Sequence, residues 1–151
     1  MRSALVAVAL AACWTAPPPA APVSNVAPRT ASARVHDLPQ HSVWSGAYHC
    51  AQGLTAVTLT LDVTGAGDAT AIFAFGPLEE NPSLPRGSYR MRGRLFPRGS
   101  SLQLRLDPDA WIDQPAGYMM VGLDVTVDTT RRYLDGRITD DRCGQVTLRR
   151  D

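Results

Sequence analysis

The chain has no lysine, so all 15 of its basic side chains are arginines. A lysine-bearing phosphate loop is thereby excluded, and no Gly-x-Ser-x-Gly elbow, His-Glu-x-x-His helix or Cys-x-x-Cys pair occurs either. Histidine is scarce, with three in all. His36 and His41 fall in a Pro- and Ala-rich stretch, leaving His49, which strand alternation sends to the face opposite its neighbour Cys50. A metal site needs more ligands than that. No enzymatic activity, cofactor or metal is expected. There is no excess of one charge: 15 basic groups stand against 14 acidic ones, so no general attraction to nucleic acid follows. Long apolar runs are missing too. The one from Ala4 to Ala12 is well short of the roughly 20 residues that span a bilayer, and Pro17, Pro18 and Pro19 forbid its continuation as helix.

What is present at that position has the order of an export signal: Arg2, an apolar core, then small residues. The stretch Leu10-Ala11-Ala12-Cys13 resembles the lipobox of bacterial lipoproteins, in which Leu and two small residues precede an invariant Cys. The resemblance covers the leader alone. It implies cleavage before Cys13, diacylglycerol on its sulfur and acylation of its amine. Trp14 in place of an aspartate implies the outer membrane where the cell has one. Each buried methylene contributes about 0.8 kcal/mol, and two or more chains anchor stably. The alternative is an ordinary secretory signal cut near Ala12 or Ala16. Losing Arg2 would leave 14 basic against 14 acidic groups.

Three divisions follow: a leader over 1–12, a lipidated tether over 13–41 and a folded domain over 42–151. The tether is Pro, Ala, Ser and Thr with almost no large apolar residue, hence extended. With Cys13 acylated, Cys50 and Cys143 remain as a pair, and outside the cytoplasm a disulfide is their expected state. Two buried free thiols are the alternative.

From residue 43 the pattern is alternation. Val57, Leu59, Leu61 and Val63 alternate with Thr58, Thr60 and Asp62, a period of two that marks a half-buried strand. Similar runs occur at 44–50, 69–76, 89–95, 102–106, 119–127, 134–138 and 146–148. About eight antiparallel strands joined mostly by tight turns predict an all-β fold, either an up-and-down barrel or a two-sheet sandwich. In a barrel the end of the first strand lies beside the start of the eighth, where Cys50 and Cys143 fall. The bridge therefore favours closure, although a sandwich with paired terminal strands meets the same distance. Trp44-Ser45-Gly46-Ala47-Tyr48 resembles the first strand of lipocalin-like and avidin-like barrels, which implies a Trp plugging one end. Tyr48, Cys50 and a late Cys also resemble membrane-bound lysozyme inhibitors, although the Ser-Gly and Phe-Trp signature of their inhibitory strands is not present.

Two longer connections, 77–87 and 108–117, are the natural places for binding. Trp111, in the second, would either stack on a ligand or fold inward to cap the mouth. Pairing Leu95 with Leu102 sets Arg94 opposite Gln103, Arg92 opposite Arg105 and Arg90 opposite Asp107. An arginine face at Arg90, Arg92, Arg94 and Arg105 would suit an anionic envelope polymer, unless aspartates neutralise it. Asp124 and Asp135 face one another in one register of the following hairpin; a two-residue slip sets Asp124 against Arg137. The expected function is a membrane-anchored extracytoplasmic lipoprotein of the cell envelope that binds an envelope component or a protein. The alternatives are a carrier of a small apolar ligand, contacting Val57, Leu59, Leu104, Val121 and Leu123, and an inhibitor of a secreted hydrolase. Mass spectrometry of the native protein should find residues 1–12 removed and the mass of acyl chains on Cys13. An intact leader would remove the anchor.

Overall fold

The computed structural model describes residues 33–130 and 132–151. Cys13 and most of the expected tether lie outside them. Eight antiparallel strands form one closed barrel in simple sequence order: β1 (His41–Cys50), β2 (Gly53–Val63), β3 (Asp68–Gly76), β4 (Gly87–Arg98), β5 (Ser101–Asp113), β6 (Leu123–Asp128), β7 (Tyr133–Ile138) and β8 (Gln145–Arg150). The barrel, not the sandwich, is the fold.

Alternation builds the wall. Val57, Leu59, Leu61 and Val63 are buried while Thr58 and Asp62 face solvent, and Leu102, Leu104 and Leu106 point inward from β5. Leu59, Leu61, Phe73, Leu104, Leu106, Leu123, Val125 and Leu148 are 0 % exposed and belong to one core cluster. Two in-strand glycines allow the wall to coil tightly. A Cβ on Gly93 would overlap the Arg105 carbonyl on β5, and one on Gly46 would overlap the Thr147 carbonyl on β8, the close backbone approach that in-strand glycines typically mark.

Closure is direct. Trp44 to Tyr48 on β1 pair with Arg150 to Val146 on β8, and beyond the last of these pairs Cys50 and Cys143 are disulfide-bonded. The bridge thus sits at the seam, where the chain order places it.

The two ends of the barrel differ. At the base, Trp44 is fully buried, its indole N–H donates to Ser42 Oγ at 2.9 Å, and the Arg150 guanidinium lies 5.9 Å from its ring. Ahead of it, a 3-10 turn at Val35–Asp37 and the buried Leu38 pack against the barrel. The folded part therefore begins before the expected boundary at residue 42, because Ala33, Val35 and Leu38 supply apolar contacts that a Pro- and Ala-rich reading overlooks. His36 and His41 are folded as well, and His41 Nδ1 lies 2.7 Å from Asp62 Oδ1.

The wall is uneven at the other end, the mouth. β4 and β5 run 12 and 13 residues, β6 to β8 only six each. Asp107 to Asp113 therefore pair with β4 alone. Trp111 belongs to this tall part of β5 and not to a loop, and residues 119–122 are loop and not strand.

The bridge closes a span of 93 residues, for which chain entropy gives about 4.6 kcal/mol. Urea unfolding of a Cys50→Ser/Cys143→Ser double variant should show a loss of that order with secondary structure retained. No loss would mean the β1 to β8 ladder suffices alone.

Candidate binding pocket at the barrel mouth

Aromatic side chains gather at the mouth. Tyr89 stacks on Phe73 with centroids 5.0 Å apart, and Tyr48 meets Phe73 edge-on at 5.7 Å. Trp111 stands edge-on to Tyr89 at 5.3 Å and to Phe75 at 6.4 Å, while Tyr118 stacks on Phe75 at 5.5 Å. Six rings thus form one continuous cluster, and each such pair contributes about 0.5 to 1.5 kcal/mol beyond its buried area. Above it lies a half-open pocket of about 330 Å³, lined among others by Tyr48, Gln52, Phe75, Tyr89, Tyr118, Met119, Val121 and Arg142. Its size is near the lower end of small-molecule sites, about 300 to 1,000 Å³.

The wall on the short side is the loop between β5 and β6, and one hydroxyl holds it there. Tyr89 Oη donates to the Val121 carbonyl at 2.8 Å and accepts the Val121 N–H at 3.3 Å. On the opposite side, Asn81 Nδ2 donates to the Gln52 carbonyl at 2.9 Å and to the Leu54 carbonyl at 3.2 Å. The 77–86 connection is thereby pinned to the β1–β2 turn, with Leu84 buried beneath it. At the rim, Arg142 meets Asp140 through Nε at 2.9 Å and Nη2 at 2.8 Å. These bonds hold the Asp140 carboxyl at about 2, below its ordinary range.

The expected arginine face is changed by a register difference. The β4–β5 hairpin turns in two residues, Gly99-Ser100, with Gly99 at φ 62°, so Leu95 pairs with Leu104 and not Leu102. Arg94 therefore faces Arg105, Arg92 faces Asp107 and Arg90 faces Ala110 past a bulge. Carboxylates neutralise most of the face: Arg92 pairs with Asp109, Arg94 Nε lies 3.8 Å from Asp68, and Arg105 Nη2 lies 3.0 Å from Asp124. Asp124 is partly desolvated, which works against its ionisation, yet bonds from Arg105 and Gln103 keep it below its usual value. It faces Arg137, the slipped register, while Asp135 faces Thr126. Arg90 has no ion pair among the described residues and lines, with Arg92 and Ile72, a groove on the outer wall. Arg94 and Arg105 do not join it.

Of the five residues expected to touch an internal ligand, only Val121 lines the mouth pocket; Val57, Leu59, Leu104 and Leu123 are packed core. The polar groups at the pocket, Tyr48, Gln52 and Tyr89, were not foreseen. Period-two alternation from Trp44 would have placed Tyr48 inward, but nothing in the sequence says which end is left open. No protein-family model matches this chain, and comparison with curated proteins finds no significant relative.

Burial raises Tyr48 from 10.0 to about 12, and raises Tyr89 further for the same reason. Below pH 10 both phenols stay protonated in either state, so their contribution is intact. Above it the unfolded chain releases protons first, and stability falls as pH rises toward the folded-state values. At one unit of pH above the ordinary value, this amounts to about 3 kcal/mol for the pair. Urea midpoints should drop between pH 8 and pH 11, and less steeply in Tyr48→Phe. Equal slopes would contradict the assignment.

Proposed function

We propose that this chain is a non-enzymatic, lipid-anchored binding protein of the cell envelope whose barrel holds a small, largely apolar molecule at its mouth. The observation that carries the reading is the pocket itself: it lies at the one end that the Val35–Leu38 segment and Trp44 do not plug, and its floor is an aromatic cluster. The volume suits on the order of a dozen non-hydrogen atoms, taking the roughly 30 Å³ that liquid water allots each molecule as a guide. The carrier is thus preferred over capture of an anionic polymer, because three of the four arginines invoked for that role already have carboxylate partners. Anchoring through Cys13 would hold the barrel at a membrane surface, with the chain ahead of Ala33 as spacer.

The neutral dye N-phenyl-1-naphthylamine, which fluoresces when moved from water to apolar surroundings, tests this. Titration into the full-length chain should saturate at one dye per protein, and Val121→Trp, which fills the pocket, should weaken binding at least tenfold with an unchanged circular dichroism spectrum. Non-saturating fluorescence, or full binding by the filled variant, would rule the pocket out.

A further inference from the structure

Rings close the mouth pocket from below, yet two of its polar atoms are left unspent. Tyr89 is committed, since its hydroxyl both donates to and accepts from the Val121 backbone. Tyr48 is not. Its oxygen accepts a long bond, 3.4 Å, from Gln52 Nε2 and lies near the Thr55 hydroxyl, while its own proton makes no hydrogen bond of normal length among the described residues.

The orientation of the Gln52 amide follows from its other neighbour. Thr55, fully buried, gives its hydroxyl proton to the Gly53 carbonyl at 3.1 Å. It accepts from Gln52, at 3.3 Å, and the amide turns its NH2 toward both hydroxyls. Gln52 Oε1 has no donor among the described residues. Asn81 fixes the backbone of the same turn, through the Gln52 and Leu54 carbonyls.

We infer that the mouth pocket selects flat, uncharged ligands carrying an adjacent acceptor and donor, as in a primary amide or lactam: Tyr48 Oη–H donates to the ligand carbonyl and Gln52 Oε1 accepts its N–H. This deepens the reading of the pocket as a binding site and rests on it. Carboxylates are disfavoured by the same geometry. The guanidinium at the rim, Arg142, is already held by two bonds to Asp140, and an anion entering the aromatic floor would be desolvated without a free cation.

Displacement of N-phenyl-1-naphthylamine from the full-length chain separates the possibilities, using 2-naphthamide, 2-acetonaphthone and 2-naphthoate as competitors of one shape. The amide should compete at least about tenfold better than the ketone, which lacks the donor, and better still than the carboxylate. Each hydrogen bond lost should weaken the amide about three- to tenfold. Tyr48→Phe should therefore weaken amide and ketone alike, and Gln52→Leu the amide alone. Equal competition by all three, preference for the carboxylate, indifference to both substitutions, or no displacement of bound dye would each overturn the pair while leaving the pocket standing. Absence of dye binding is the separate result that removes the pocket, and the inference with it.

Discussion

Pairing of β1 with β8 is the constraint on which the other features rest. A sheet of eight strands left open would present two edges of unpaired N–H and C=O groups, and its inner face would be wet. Closure removes both problems, and the hydrogen-bonded ladder that accomplishes it spans five residue pairs from Trp44 to Tyr48. Farther up, the Gly144 N–H reaches the His49 carbonyl at 2.7 Å, and the covalent bond between Cys50 and Cys143 takes over where the ladder stops. The seam is therefore weakest in hydrogen bonds where it borders the pocket, and the disulfide is placed there.

Once the barrel is closed, access to its interior is a matter of its ends. The base is shut by Trp44 and by Leu38 from the chain ahead of β1. Between the ends, leucines and valines fill the space to the point that Leu59, Leu104 and Leu123 are fully buried, a close-packed core. The mouth stays open because strand lengths differ. β4 and β5 rise past the rim set by β6 to β8, and the connection after Asp113 has to descend across the gap. Tyr89 meets that descending chain at Val121 and fastens it, which turns a loop into a wall. One hydroxyl thus links packing in the barrel to the shape of the site.

How much of this was legible in the chain depends on which physical signal carries it. Alternation at Val57 to Val63, and at Leu102 to Leu106, is a strong local signal, because burying one face of a strand admits one phase only. The two cysteines then favour a barrel through chain order, although a sandwich with paired terminal strands meets the same distance, and only the strand pairing of the fold separates the two. Registers were less legible. Leu95 with Leu102 and Leu95 with Leu104 put the same faces inward, and only the turn geometry at Gly99 separates them. Two residues of slip were enough to exchange the partners of Arg90, Arg92 and Arg94. Trp111 was misplaced for a related reason: Pro108 reads as the end of a strand, whereas it lies in the part of β5 that pairs on one side only, where a missing N–H is tolerated. The pocket was not legible at all, since it depends on the relative heights of strands that are remote in sequence.

Polar atoms at the mouth are governed by a different balance from those on the outer wall. Outside, the arginines of the Arg92, Arg94 and Arg105 ion pairs are 58 to 70 % exposed, their carboxylate partners 14 to 65 %, and pairs with one member so open to solvent contribute about 0 to 1 kcal/mol. Their effect is on the field: they cancel what would otherwise be a cationic stripe. Tyr48 is only 4 % exposed, and a group so placed is sensitive to whether it has a partner, because leaving one partner unmatched costs about 1 to 3 kcal/mol. Selectivity arises from that penalty more than from the bond itself. A molecule of the right shape that ignores the phenol and the amide forces both to remain dry and unpaired, and is rejected on that account. The aromatic floor sets how strongly anything flat is held; the few oxygen and nitrogen atoms at its edge set which flat molecule stays.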